Sequence, residues 1–271
     1  MLEFPPVTAR DLPPALSVTS HISGGSSKST TSFYALDAAW RSSRELIILD
    51  NDGLDALNAY GKVIRVHLAP TEDVVNEPLA DIIAHQPFDQ ALREMTDKTM
   101  IHYDGAAASL NRHTFVMDML NVPDRLEALG QYGVIYVPVS ARLDLAKESL
   151  ETFKVWRALF QSPHMVIPVV FHRDGDPSRV ASDHPLAKLV KTATDGFIVQ
   201  PRVPMTILTQ YRRTGMKLCE LADSRDPLGT GELAARIGIA PALVEMMRRC
   251  AGDALSAMDP QFQRLGFHLG L

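Results

Sequence analysis

The chain has 271 residues, 46% of them hydrophobic and 22% charged, enough apolar material to bury a large core as one or two globular domains. A net charge of −5 and a pI near 6.0 exclude a generally basic nucleic-acid coat and leave only a focal basic patch for phosphate contacts. The two cysteines, Cys219 and Cys250, lie far apart and form no C-x-x-C pair, which excludes a disulfide framework or an iron–sulfur site and points to a reducing compartment.

The first 14 residues, "MLEFPPVTARDLPP", hold four prolines and read as an irregular arm, because proline lacks a backbone donor. They lack the basic start and apolar middle of a secretion signal, and no window of the chain nears 18 uninterrupted apolar residues, so a soluble cytoplasmic protein without membrane contact is expected. Beyond the arm, short apolar runs alternate with helical patterns. "ALSVTSHI", "ELIILD", "KVIRVHLA", "TMIHYD", "GVIYVPVS", "MVIPVVFH" and "GFIVQP" are mostly rich in Val and Ile without polar alternation, as strands buried on both faces are. Between them "STTSFYALDAAWRSS", "PFDQALREMTDK", "NRHTFVMDMLNVPDRLEALG", "RLDLAKESLETFKVWRALFQ" and "HPLAKLVKTATDG" follow a 3.6-residue period. This alternation predicts an α/β fold: a doubly wound, mostly parallel sheet with helices on both faces.

After about residue 222 the strand signals stop. "DSRDPLGTG" reads as a linker, and "ELAARIGIAPALVEMMRRCAGDALSAM" as a helical pair broken around Gly238 and Pro241. The expected organisation is an arm over 1–14, an α/β domain over 15–222 and a C-terminal helical segment over 223–271. The helix–Gly–helix spacing is open to two readings, packing or a helix-turn-helix DNA reader. The second would offer Glu245, Met246 and Met247 to the groove with only Arg248 and Arg249 behind them, so packing is preferred.

The stretch "TSHISGGSSKSTTSFYALDAAW" runs from the first predicted strand into the first predicted helix. In that position backbone N–H groups, a helix N-terminus and one lysine converge on a polyphosphate while the next hydroxyl serves magnesium. Against G-x-x-x-x-G-K-[ST], Lys28 and Ser29 fit, but Ile22 and Ser27 stand where glycines belong. A serine-rich helix cap is the alternative. The second strand ends in "LDNDG", with Asp50 and Asp52 at the carboxyl edge where ligands bind in open sheets; Asp-Asn-Asp-Gly is also good turn chemistry. "MIHYDGAAAS" ends a buried strand in Asp104, a magnesium-site carboxylate or an ordinary helix cap.

Taken together these segments resemble the ParA/MinD family of partition and positioning ATPases, whose deviant Walker A loop reads K-G-G-x-G-K-[ST]-T. Gly24, Gly25, Lys28, Ser29 and Thr30 fall on that pattern; Ser23 replaces the signature lysine and Ser27 the glycine before the invariant lysine. The resemblance spans about residues 15–222 and implies a P-loop fold that binds ATP and Mg²⁺ and hydrolyses ATP slowly as a dimer tuned by a regulatory partner protein. It implies that Gly24, Gly25, Ser26, Ser27, Lys28, Ser29 and Thr30 cradle the phosphates, with Lys28 bridging β and γ. It further implies that Ser29, Asp50 and Asp104 serve the metal, that Asp52 orients the attacking water, and that Gly105, Ala106 and Ala107 let backbone approach the terminal phosphate. Proline is absent at 106 and glycine at 108. Pro201 is expected beside the base, while His172 and Arg173 stand where the family's adenine-reading asparagine is.

Without the signature lysine, either another cation substitutes, with Arg142 and Lys147 as candidates against a reading of both as solvated charges, or hydrolysis is slow. Family members bind DNA or membrane, so the resemblance implies nonspecific DNA contact through Arg202, Arg212, Arg213 and Lys217, the densest basic stretch, against a reading as a solvated helix face, while the tail "PQFQRLGFHLGL" carries too few cations for an anchor. The expected role is a dimeric switch that positions or segregates a plasmid, transfer apparatus or cellular assembly. A small-molecule P-loop ligase or kinase, or a nucleotide-binding module that has lost hydrolysis, are the competing readings. His21, His102, His113, His172 and His184 show no metal-ligand spacing, so no transition metal is assigned, and no serine sits in a G-x-S-x-G turn.

Overall fold

The computed structural model describes residues 1–24, 27–70, 77, 79–107, 109–223 and 229–269. In chain order, β1 (Leu16–Thr19) leads through a loop to α1 (Lys28–Arg41), β2 (Glu45–Asp50), a short 3-10 turn (Asp55–Ala59) and β3 (Lys62–Arg65). Then come α2 (Ala80–Ala84), α3 (Gln86–Glu94), β4 (Thr99–Asp104), α4 (Leu110–Met119), α5 (Val122–Ala128), β5 (Gly133–Val139) and α6 (Leu143–Leu159). The remainder is β6 (Met165–Val170), a 3-10 turn (Pro177–Arg179), α7 (Pro185–Thr192), β7 (Ile198–Val199), α8 (Met205–Tyr211), α9 (Leu218–Ala222), α10 (Thr230–Ile237) and α11 (Pro241–Arg264).

All seven strands lie where the Val/Ile runs predict them, in one sheet of order β3-β2-β4-β1-β5-β6-β7, and every pairing is parallel. The crossover through α1 carries the chain from β1 toward β2 on one side, and the passage from β4 to β5 steps back over β1 to the other. The carboxyl end of β1 is therefore the point where the connections diverge, the place where open α/β sheets form a crevice.

Both faces of the sheet are covered. On one, Phe33 and Leu36 of α1 pack with Met100, Tyr136 and Ile167 of the strands and with Val244, Met247 and Phe262 of α11. On the other, Leu16, Val18 and Tyr103 pack with Phe88 of α3 and Trp156 of α6. Each such side chain contributes about 1.5–3 kcal/mol by leaving water. α1 is buried almost all round, because the sheet lies under it and the C-terminal helices lie over it. Of the α11 residues expected at a groove, Met247 is buried and Arg248 donates to Asp223 O at 3.0 Å, while Met246 is 52% exposed. The arm runs along the β7 edge, with Phe197 N donating to Pro5 O and Arg10 N to Arg264 O.

One predicted element is corrected. The helical pattern over 111–130 is two helices, α4 and α5, because Asn121 takes the left-handed conformation (φ 52°) and Pro123 follows within the first turn of α5. Asn tolerates that conformation better than most residues, and proline near a helix start is compatible with a new helix but not with a continued one. The break between α10 and α11 falls where Gly238 (φ 71°) caps α10 and Pro241 opens α11.

Candidate functional site

The loop after β1 turns against α6 before it enters α1. His21 is buried; its Nδ1 accepts from Ser23 N at 2.9 Å, so its proton sits on Nε2, which reaches Ser149 Oγ at 3.0 Å. Burial foremost, then the Lys28 charge, pushes its pKa down to about 4, and the ring is neutral. Ser23, at the position of the signature lysine, donates its hydroxyl to Glu148 on α6. Gly24 is an exposed turn residue; Gly25 and Ser26, two of the expected phosphate-cradling positions, lie outside the described residues.

Ser27 stands just before α1 at φ 67°, ψ 18°, the left-handed geometry that the glycine of the motif adopts without cost. This bend starts the helix at Lys28. The Lys28 side chain is only 5% exposed, and its ammonium donates to Ser23 O at 3.5 Å, the outer limit of a hydrogen bond. Ser29 is half-buried. Thr31 Oγ1 donates to Ser27 O and accepts from Gln200 at 2.7 Å, tying the start of α1 to the end of β7.

Register brings the carboxylates together. Asp104 pairs with Asp50 across β4 and β2, and with Thr19 across β4 and β1, so the three side chains share the α1 side of the sheet at adjacent carboxyl ends. Asp104 Oδ1 accepts from Ser32 of α1 at 2.7 Å. Asp50 Oδ1 accepts from the amides of Asp52 and Gly53 at 3.0 and 2.8 Å, so the turn chemistry of Asp-Asn-Asp-Gly is realised while the carboxylate stays in the crevice. Asp52 is exposed. Burial above all drives the Asp104 pKa up to about 7, with Asp52 and Asp50 adding to the rise and Ser32 and Lys28 opposing it. That pattern of mutual influence brings Lys28, Asp50, Asp52 and Asp104 into one electrostatic neighbourhood.

Among the described residues, Thr19 Oγ1, Asp50 Oδ2 and Asp104 Oδ2 are buried without a hydrogen-bond partner, although Arg65 Nε stands 3.7 Å from Asp50 Oδ2. Buried polar atoms are rarely left this way. Among the described residues no group of three or more His, Cys, Asp and Glu side chains is arranged to hold a metal by itself. The oxygens suit a hard cation carried mainly by its own waters and by phosphate, with one or two carboxylates assisting, as Mg²⁺ is usually bound.

A cleft of about 170 Å³ opens beside the loop, lined among others by Ser27, Thr30, His172, Arg173, Gln200 and Pro201. Thr30 and Pro201, 171 positions apart, thus share one wall system. Arg202 lines it too. Of the other basic residues, Arg212 is exposed, Arg213 donates to Ile237 O at the end of α10, and Lys217 pairs with Glu220 at 2.5 Å and lies over the Trp40 ring. Arg142 is exposed and bonded to Asp144 at 2.8 Å; Lys147 is exposed on α6. No described helix is long and apolar enough to cross a membrane, and both cysteines are free.

Sequence reasoning gave no site role to Thr19, Ser32, Asn51, His113, Glu148 and Gln200, which contact the loops and element ends around the crevice. Only Asn51 carried a signal, its place between two aspartates.

The chain matches no family model and no curated protein. Among solved structures it is similar to the MinD cell division protein of Aquifex aeolicus at 11% identity, covering 88% of this chain and 96% of that one, with a TM-score of 0.45. It is similar to a ParA family ATPase from Chlorobium tepidum at 14% identity, covering 89% and 98%, with a TM-score of 0.42. The septum site-determining protein MinD complexed with Mg-ADP from Pyrococcus horikoshii is 12% identical, with coverage of 89% and 98% and a TM-score of 0.44. At these levels no residue-by-residue correspondence follows, and the site stands on its own geometry.

Proposed function

We propose that this chain binds ATP with Mg²⁺ in the crevice after β1 and hydrolyses it slowly, as a nucleotide-driven switch of the ParA/MinD kind. The observation that carries the reading is Lys28, a residue 5% exposed whose ammonium, among the described residues, meets one carbonyl at 3.5 Å, beside the register-matched Asp50 and Asp104. A cation so withdrawn from water is costly unless an anion completes it. Triphosphate oxygens supply that anion, α1 presents its N-terminal amides to them, and the cleft reaching Pro201 accommodates the base.

In this reading Lys28 neutralises charge on the β- and γ-phosphates, Ser29, Asp50 and Asp104 hold the hydrated metal, and Asp52 orients water for attack on the terminal phosphoryl group. When bound, Mg²⁺ spreads the negative charge that develops on the phosphoryl oxygens; the protein's own part is positioning and electrostatic stabilisation. Closure of two ATP-loaded copies, relaxed by hydrolysis and tuned by a partner protein, provides the switch that positions a cargo.

A second reading, ATP binding with hydrolysis lost, draws support from Ser23, whose hydroxyl is engaged by Glu148 and which offers no charge to a neighbouring nucleotide. Calorimetry with Mg-ATP on wild type and Lys28→Ala tests the binding claim, with an expected loss of about 100-fold in affinity. Equal affinity in the two proteins removes the assignment. Phosphate release by wild type, with sedimentation in ATP and in ADP, separates the switch from the silent binder.

A further inference from the structure

The cleft beside the loop does not end at the wall assigned to the base. A second, wider basin of about 560 Å³ adjoins it, and His172, Arg173, Gln200, Pro201 and Arg202 line both spaces. These residues form the mouth between them. Val170 and Val199 are register partners in β6 and β7, and Arg173 and Arg202 each stand three positions further on, so the sheet delivers both guanidinium groups to one stretch of its carboxyl edge.

The chemistry above makes no use of either arginine. Arg202 is exposed and makes no ion pair among the described residues, and Arg173 has Asp174 at 3.9 Å, beyond hydrogen-bond length. On the rim of the basin Asp176 is already committed: it accepts from Ser178 N and Oγ at 3.0 and 2.7 Å and pairs with Arg179 at 3.1 Å. The backbone of Val199 is closed as well, its N–H donating to Gln261 Oε1 at 2.8 Å and its carbonyl accepting from Gln261 Nε2 at 3.0 Å. Val199 therefore offers no strand edge for a peptide to extend. What the mouth presents to a ligand is a pair of planar cationic forks.

Guanidinium groups take phosphoryl oxygens through paired hydrogen bonds. We infer that Arg173 and Arg202 bind a further phosphoryl group, carried on the ribose of the nucleotide rather than on its 5′ chain, so that the crevice favours a nucleotide phosphorylated at two places. This rests on the nucleotide reading of the crevice. With the 5′ phosphates at the start of α1 and the base toward Pro201, the ribose hydroxyls are the points from which such a group enters the mouth. A nucleic acid suits the place less well. A polymer backbone is held by a row of cations, and the next ones along the chain, Arg213 and Lys217, are engaged by Ile237 O and Glu220.

The test is calorimetry on the full chain with Mg²⁺ and either ADP or ADP bearing one more phosphoryl group on its 2′ or its 3′ oxygen. Wild type is expected to bind one of the two phosphorylated forms about tenfold tighter than ADP. Arg202→Gln is expected to bring that ratio to within about twofold of unity, and Arg202→Lys, which keeps the charge without the fork, to recover part of it. Arg212→Gln removes an exposed cation outside the cleft and is expected to leave the ratio as in wild type; a fall equal to that of Arg202→Gln means general charge attraction and overturns the inference. Wild type that binds all three nucleotides alike overturns this inference alone, and a short DNA duplex that wild type then holds and Arg202→Gln releases assigns the mouth to nucleic acid instead. Wild type that binds none of the three overturns the nucleotide reading and this inference with it.

Discussion

At Ser27 the backbone adopts φ 67°, a conformation that costs an L-residue about 1–2 kcal/mol, and among the described residues it gains no helix-capping side-chain hydrogen bond in return. Such strain persists where the surrounding structure imposes it. Here the bend directs Lys28 inward. Ser27→Gly is expected to raise stability by about 0.5–1 kcal/mol, the relief of strain being partly offset by the freedom glycine adds to the unfolded chain. A higher urea midpoint at an unchanged slope is the measured signature. Ser27→Val, branched at Cβ, is expected to lower the midpoint; a Val variant as stable as wild type contradicts the account of strain.

α1 connects that bend to the far side of the molecule. Arg41 in its last turn donates to Asp37 at 2.8 Å and to both carboxylate oxygens of Asp259 on α11 at 2.8 and 2.5 Å. Asp37 is fully buried, burial raises its pKa, and Cys219 N holds its other oxygen at 2.9 Å. Arg41→Met leaves that carboxylate without its cation and is expected to destabilise by about 3 kcal/mol. The double variant Arg41→Met/Asp37→Asn is expected to recover a large part of this, because no fully buried charge is then stranded; Asp259, 27% exposed, keeps access to water. Urea unfolding of the two variants and of Asp37→Asn closes the cycle; an Arg41→Met loss below about 0.5 kcal/mol shows the pair to be a solvated one.

The strands beneath α1 were legible beforehand. Parallel strands buried on both faces must be apolar along their whole length, so runs such as "ELIILD" and "GVIYVPVS" announced β2 and β5. The break at Asn121 left no such trace, because a single left-handed asparagine changes no hydrophobic period. α8 and α9 are short and separated by Gly215 at φ 64°, a break that the hydrophobic period alone does not mark. At the site, Lys28 and the aspartates were visible as a spaced motif. Ser32 and His113 were not, since their contacts with Asp104 and Asn51 arise only when the sheet sets its register.

Across the whole molecule, pH acts through opposing buried groups. Burial drives the pKa of His102 to about 3, that of His113 to about 3 and that of His21 to about 4, from an ordinary value of 6.5. Each depressed histidine contributes stability that is fully present above pH 6.5 and is lost as pH falls toward its folded value, because the unfolded chain takes up the proton first. At pH 5 this costs about 2 kcal/mol per histidine. Asp104 works in the other direction. With its folded pKa raised to about 7 from 3.8, it binds its proton in the native state before the unfolded one does, so acidification from pH 7 to 5 adds about 2–3 kcal/mol. The histidines outnumber it. Metal-free protein is therefore expected to be less stable at pH 5 than at pH 7.5 by a few kcal/mol in urea unfolding. Asp104→Asn removes the opposing contribution, so its loss between the two pH values should exceed that of wild type. An equal loss in the two proteins means that Asp104 is already ionised in the folded protein at pH 5, held there by Lys28 against the cost of its burial.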